Sequence, residues 1–259
     1  MPFADLNGLR VHYSLSGAEN APVLIFSNSL GTNFSMWNPQ AAALEKDFRI
    51  LRYDTRGHGQ TAVPPGPYSI EQLSRDVLAL LDHLHLDRVN FCGLSMGGMI
   101  GMWLGINAPQ RFHRIVLCNT AAKIGTAEMW NARIATVRKG GTRSVAGAVV
   151  ERWFTPEFRA ASPALVATAL HMLENSPTEG YAECCAAIRD MDQRETIKNV
   201  RVPTLVIAGS RDPVTPPAEG HFLADHIPGA KYAELPAAHL SNIEATAQFN
   251  AELTKFLNS

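Results

Sequence analysis

Val89-Asn90-Phe91-Cys92-Gly93-Leu94-Ser95-Met96-Gly97-Gly98-Met99-Ile100-Gly101 is the stretch that decides the fold. Its first four residues form a short apolar run, as in a strand covered on both faces, and the residues from Met96 read as a helix. Between the two lies a G-x-S-x-G pattern. A serine set between strand and helix in this way is exposed on a sharp, strained elbow. A side chain at position 93 or 97 would collide with neighbouring backbone in so tight a turn. Gly97, Gly101 and Gly105 recur at i, i+4 and i+8, which leaves one helix face bare for close approach to a sheet. The plainer alternative is a glycine-rich helix entry with an incidental serine; the strand before it and the helix after it favour a nucleophile.

Similar apolar runs lie on either side: Val23-Leu24-Ile25-Phe26, Ile50-Leu51-Arg52-Tyr53, Ile115-Val116-Leu117-Cys118 and Leu205-Val206-Ile207-Ala208. Helical patterns separate several of them, for example 70–84 with Leu73, Val77, Leu80, Leu81 and Leu84 on one face. Asn7-Gly8 predicts a tight hairpin turn, followed by Leu9, Val11, Tyr13 and Leu15 alternating with polar residues. Strands alternating with helices predict an α/β protein with a doubly wound, mostly parallel central sheet. The alternation stops after Thr120. From there to about Ile188 only helix-like pieces occur, punctuated by Gly140-Gly141, Thr155-Pro156, Ser162-Pro163 and Ser176-Pro177. The expected organisation is an α/β core over 1–120 and 189–259, interrupted by a helical insertion over 121–188.

Composition narrows the function. The 259 residues are 46 % hydrophobic and 18 % charged, with a formal net charge of −1, which excludes a disordered or fibrous chain. No basic field exists to hold a nucleic-acid backbone or an anionic membrane, so neither is expected as a partner. The 22 uncharged residues between Arg88 and Arg111 contain polar residues, Pro109 and five glycines, and read as strand, turn and helix rather than a membrane span. The opening Met1-Pro2-Phe3-Ala4-Asp5-Leu6-Asn7 lacks the features of a signal peptide, and a cytoplasmic location is expected. Cys92, Cys118, Cys184 and Cys185 have neither zinc-ligand nor C-x-x-C spacing and are assigned to core packing.

A serine nucleophile needs a base, and the base needs an acid to orient it. In this topology the order is serine, acid, histidine. Asp212 follows the 204–208 strand, and His239 comes 27 residues later, with room for one helix and one strand between them. Both should emerge at strand C-terminal ends, where open α/β sheets gather their catalysts. His58, in Asp54-Thr55-Arg56-Gly57-His58-Gly59, also follows a strand, but the flanking glycines favour a tight structural turn held by Asp54 and Arg56. Two backbone amides should hold the developing oxyanion. One is Met96 N–H, and the other is Leu30 N–H in the loop Asn28-Ser29-Leu30-Gly31-Thr32.

With these residues in place, the chain resembles the α/β-hydrolase superfamily over nearly its whole length. Asp54-Thr55-Arg56-Gly57-His58-Gly59 is similar to the superfamily's D-x-R-G-x-G loop and Gly93-Leu94-Ser95-Met96-Gly97 to its elbow, while Asn28-Ser29 stands where a His-Gly pair is usual. Within the superfamily the chain resembles the bacterial 3-oxoadipate enol-lactonases. That resemblance rests on Ser27-Asn28-Ser29-Leu30-Gly31, Gly93-Leu94-Ser95-Met96-Gly97-Gly98, Arg152-Trp153-Phe154-Thr155-Pro156 and Pro236-Ala237-Ala238-His239-Leu240-Ser241-Asn242. It implies an α/β-hydrolase fold with an inserted helical cap, and hydrolysis of a small anionic lactone with no metal or organic cofactor. Other serine hydrolases of the same fold, and a small-molecule receptor built on it, are the alternatives.

The carboxylate of such a substrate requires a cation in the pocket. The insertion offers Lys123, Arg133, Arg138, Lys139, Arg143, Arg152 and Arg159. Arg133 is singled out because it follows Trp130 by three positions, which puts ring and guanidinium on one helix face. Trp153 is expected either to wall the pocket from a facing helix or to pack in the core of the insertion.

Overall fold

The computed structural model describes residues 2–259; Met1, in the segment read above for a leader, lies outside them. The first half of the chain forms β1 (Phe3–Leu6), β2 (Leu9–Ser16), β3 (Val23–Ser27), α1 (Asn38–Leu44), β4 (Arg49–Tyr53), α2 (Ile70–His83), β5 (Val89–Leu94), α3 (Met96–Asn107) and β6 (Phe112–Cys118). Five helices follow: α4 (Ala127–Gly140), α5 (Arg143–Trp153), α6 (Pro156–Ala161), α7 (Pro163–Glu174) and α8 (Thr178–Asp190). The sheet then resumes with β7 (Thr204–Gly209), α9 (Pro217–His226) and β8 (Lys231–Leu235), and the chain ends in α10 (Ser241–Glu244) and α11 (Thr246–Leu257).

The strands join in one sheet of order β1-β2-β4-β3-β5-β6-β7-β8. The β1–β2 and β2–β4 pairings are antiparallel and the rest are parallel. Helices cover both faces, so β5 and β7 are buried along their full length, which is why their sequences are unbroken apolar runs. The hairpin turn has positive φ at both Asn7 (51°) and Gly8 (88°), as the Asn-Gly pair predicts. The uncharged stretch after Arg88 divides into β5, α3 and a short 3₁₀ turn, and among the described residues no helix is long and apolar enough to cross a membrane. All four cysteines are buried and unbridged.

The bare face of α3 lies against the sheet. A Cβ on Gly97 would stand 2.2 Å from the Ser27 carbonyl oxygen of β3, and one on Gly101 would stand 2.7 Å from the Phe91 ring of β5. This close approach puts the start of α3 directly above the C-terminal ends of the central strands.

The expected alternation of β2 fails in one respect. His12, on its polar side, is buried, because Asp54 at the end of β4 reaches its Nδ1 at 2.7 Å. Asp54 also accepts the amides of Phe34 (2.8 Å) and Gln60 (2.9 Å), and so ties β2, the segment after β3 and its own loop together at the end of β4. Asp54→Ala strands these donors. The expected outcome is a loss of about 3–5 kcal/mol, read as a lower urea midpoint at unchanged m-value.

Candidate active site

β3, β5, β6, β7 and β8 are parallel, so their following loops share one edge of the sheet, and every residue of the site comes from these loops or from the helices above them. Ser95 joins β5 to α3 with φ 57° and ψ −113°, a conformation rarely adopted by a residue with a side chain. Its N–H donates to the Cys118 carbonyl at 2.9 Å, and its carbonyl accepts the Thr120 hydroxyl at 2.7 Å. A Cβ on Gly93 would fall 2.2 Å from the Gly97 carbonyl oxygen, so glycine is required beneath the turn.

Asp212 and His239 meet behind Ser95. Both are buried, and His239 Nδ1 donates to Asp212 Oδ2 at 2.8 Å, which directs Nε2 away from the carboxylate. Asp212 takes four more hydrogen bonds. Asn119 Nδ2 (3.0 Å) and Thr215 Oγ1 (2.7 Å) donate to Oδ2, and the amides of Val214 (2.7 Å) and Thr215 (3.1 Å) donate to Oδ1. Burial acts to raise the Asp212 pKa, but the His239 charge and these donors outweigh it and hold the carboxyl below its ordinary value. Asn119 and Thr215 were not singled out in the sequence. Asn119-Thr120 did carry a signal, a polar pair at the end of an apolar strand.

The loop after β3 lies against the elbow, because Gly97 N–H donates to the Asn28 carbonyl at 3.0 Å. The neighbouring amides are engaged: Ser29 to Met36 Sδ, Gly31 to His58 Nε2 and Thr32 to the Ser29 carbonyl. Among the described residues, Leu30 N–H and Met96 N–H have no such partner. They flank the site from two sides.

Ser95 and His239 line a small cavity with Leu30, Trp130, Arg133, Trp153, Tyr181 and Val214. All the predicted side chains except that of the buried Asp212 therefore meet there; Met96, next to Ser95 in the chain, is buried and does not line it. The Arg133 guanidinium lies 5.3 Å from the centre of the Trp130 ring, and Trp130 Nε1 is fixed by the Ile124 carbonyl at 2.8 Å. Arg133 forms no salt bridge among the described residues. Of the other cations of the insertion, Lys123 pairs with Asp192, Arg138 pairs with Glu179 and Glu183, and Lys139 and Arg143 face solvent. Arg152 and Arg159 are half-buried without a carboxylate partner among the described residues but do not line the cavity. Trp153 meets both expectations, being 3 % exposed and also part of the cavity wall. Tyr181, which the sequence reading passed over, forms the wall on α8. A more open groove is lined by Ser35, His12 and Asp54, but there the Ser35 hydroxyl donates to Asn33 Oδ1 at 2.6 Å rather than to the imidazole.

Residues 22–246 match the alpha/beta hydrolase fold family. The chain belongs to that family. It is 47 % identical to 3-oxoadipate enol-lactonase 2 of Acinetobacter baylyi over 240 residues, 93 % of this chain and 90 % of that one. It is 41 % identical to 3-oxoadipate enol-lactonase 1 of the same organism, over 97 % of this chain and 94 % of that one. The crystal structure of the enol-lactonase from Burkholderia xenovorans LB400 superposes with a TM-score of 0.98 at 47 % identity, covering all of both chains. The resemblance read from the sequence is borne out, and it places this hydrolase-fold chain among enzymes that cleave ester bonds.

His58 behaves unlike His239. It is fully buried, no carboxylate backs its ring, and its Nε2 accepts the Gly31 N–H at 2.9 Å. Burial pushes its pKa from 6.5 down to about 4, against the opposing pull of the Arg56 carbonyl and the Asp54 charge. Between these values the unfolded chain binds the proton and the native chain does not. Stability is therefore full above about pH 6.5 and falls by up to roughly 3 kcal/mol as pH drops toward 4. His58→Gln keeps an acceptor for Gly31 but removes the titration, so urea midpoints measured from pH 7 to pH 4 should fall less steeply in the variant.

Proposed function

We propose that the protein hydrolyses 3-oxoadipate enol-lactone to 3-oxoadipate, a step of aromatic-compound degradation, through an acyl-enzyme on Ser95. The observation that carries this reading is the single cavity that joins Ser95 and the His239–Asp212 pair to Arg133, a cation without a carboxylate partner. The relatives named enol-lactonases support the substrate. In this reading residues 121–188 act as a cap that closes over the lactone and supplies Trp130, Arg133 and Trp153 as its binding surface.

Ser95 Oγ attacks the lactone carbonyl as His239 Nε2 takes its proton, and Asp212 holds the imidazole tautomer and steadies the resulting cation. The tetrahedral oxyanion is held by the Leu30 and Met96 amides. The carbonyl carbon then releases the ring oxygen, which takes the proton from His239. Conjugation stabilises this enolate-like leaving group, so its departure needs less acid help than an amide would, and the enol tautomerises to the ketone. Water, activated by His239, attacks the acyl carbon, and release of Ser95 gives the second carboxylate of 3-oxoadipate. No step needs a cofactor. Arg133 binds the acetate carboxylate of the substrate, where a guanidinium engages both oxygens at once.

Loss of ultraviolet absorbance from freshly generated enol-lactone measures the reaction. Ser95→Ala should lower turnover at least about 10³-fold with circular dichroism unchanged; activity within tenfold of the wild type would overturn the assignment. Arg133→Ala should raise the KM for the anionic lactone much more than for a neutral p-nitrophenyl ester of similar size. Equal effects on the two substrates would mean that Arg133 only supports α4.

A further inference from the structure

Glu244, the last residue of α10, is not used by any of the steps above, yet its carboxylate joins the base to the helices over the site. Oε2 accepts the N–H of Ala238, the residue before His239, at 2.9 Å. The Thr155 N–H lies 3.2 and 3.3 Å from the two oxygens, and the Thr155 hydroxyl donates to Oε1. Beside this contact, Leu240 N–H, just after His239, donates to the carbonyl of Trp153 at 3.0 Å. One carboxylate and one backbone bond thus bind the two neighbours of His239 to residues 153–155, at the α5–α6 junction, where Trp153 walls the cavity.

We propose that Glu244 is a positioning residue that locks the histidine loop to this junction, so that the imidazole and the substrate-facing wall keep one register. The inference rests on the hydrolytic reading given above. Two other links reach the same junction from the loop that carries Asp212: Arg211 to Glu157 at 2.9 Å, and Arg152 Nη2 to the Pro213 carbonyl at 3.3 Å. The first joins half-exposed or more exposed side chains and is worth little. The second is a single long bond. Glu244, with three donors on a partly buried carboxylate, is the side chain that carries the connection beside the Leu240–Trp153 backbone bond.

Removing the carboxylate leaves Ala238 N–H and both Thr155 donors without their acceptor and frees the histidine loop to shift against the cap. A displacement of about 1 Å at a catalytic base is enough to lower turnover of order 10²-fold. A merely structural Glu244 would change thermal stability and leave the kinetics of the folded enzyme alone. The test is to measure kcat, KM and Tm for Glu244→Ala, Thr155→Val and the double variant, on enol-lactone and on a neutral p-nitrophenyl ester. The expected result is a fall in kcat of order 10²-fold for Glu244→Ala on both substrates, with KM within about threefold. Thr155→Val should lose less, and the double variant should lose no more than Glu244→Ala, because both changes remove one shared connection. Glu244→Gln keeps one acceptor oxygen and should recover part of the kcat. A folded Glu244→Ala with kcat within about twofold of wild type overturns the proposal, as do losses that simply multiply in the double variant. If Glu244→Ala does not fold, an unchanged kcat in Glu244→Gln overturns it. Retained turnover in Ser95→Ala, run in parallel, would instead overturn the hydrolytic reading beneath it.

Discussion

Ser95 is held with φ at 57° by the surrounding packing, and much of the architecture near the site follows from keeping it there. Such a conformation costs of order 1–3 kcal/mol and persists only where neighbours over-determine it. Here Cys118 and Thr120 from the adjacent strand end fix its amide and carbonyl, while glycine at 93 lets β5 approach α3 and glycine at 97 lets β3 approach it. The approach at Gly97 also brings the β3 loop within hydrogen-bonding reach of the elbow. The same contact therefore raises the serine above the sheet and brings the Leu30 amide to its flank. On the proposed reading, nucleophile geometry and oxyanion geometry are two consequences of one packing constraint.

Two histidines sit at strand ends on this edge, and their partners decide their chemistry. Asp212 stands behind His239 Nδ1, and the carboxylate is itself stabilised by Asn119, Thr215 and two amides, so a cation on the ring has a buried counter-charge. His58 has none: its Nδ1 faces the Arg56 carbonyl and Cys184 Sγ, and its Nε2 is occupied by Gly31. Burial keeps it neutral, and a neutral ring is what an N–H donor requires. In the proposed reaction His239 takes the serine proton, while His58 stays neutral and holds the loop whose Leu30 amide that reaction uses.

Much of this was legible in the sequence because strand and elbow signals are local. Runs such as Leu205-Val206-Ile207-Ala208 announce doubly covered strands, and chain order with strand-end position selects Asp212 and His239 from many acids and nine histidines. Most supporting residues were not legible, since they act across long spans of chain; Thr215, three positions from Asp212, is the local exception. Asn119 reaches Asp212 over 93 positions, and Thr155 reaches Glu244 over 89. His12 read as the polar face of a half-exposed strand, and only the fold brings Asp54 over it. Tyr181 lay in an apolar helix pattern that does not distinguish a cavity wall from core.

The cationic side of the cavity shows how the proposed selectivity follows from charge placement. Burial first, and then the Arg133 charge, lowers the pKa of Arg152, while Asp212 acts in the opposite direction. Arg152 is drawn toward the acid loop through the Pro213 carbonyl, whereas Arg133 rests on Trp130 beside the cavity with no acid to neutralise it. A half-buried guanidinium without a carboxylate partner favours an anion beside it. A neutral ester of the same size gains only apolar contact with Trp130, Trp153 and Tyr181. A lactone with a carboxylate arm also gains an ion pair with Arg133. On the proposed reading, the arginine that raises affinity also fixes orientation, because binding the carboxylate on α4 leaves the ring carbonyl as the end of the substrate that faces Ser95.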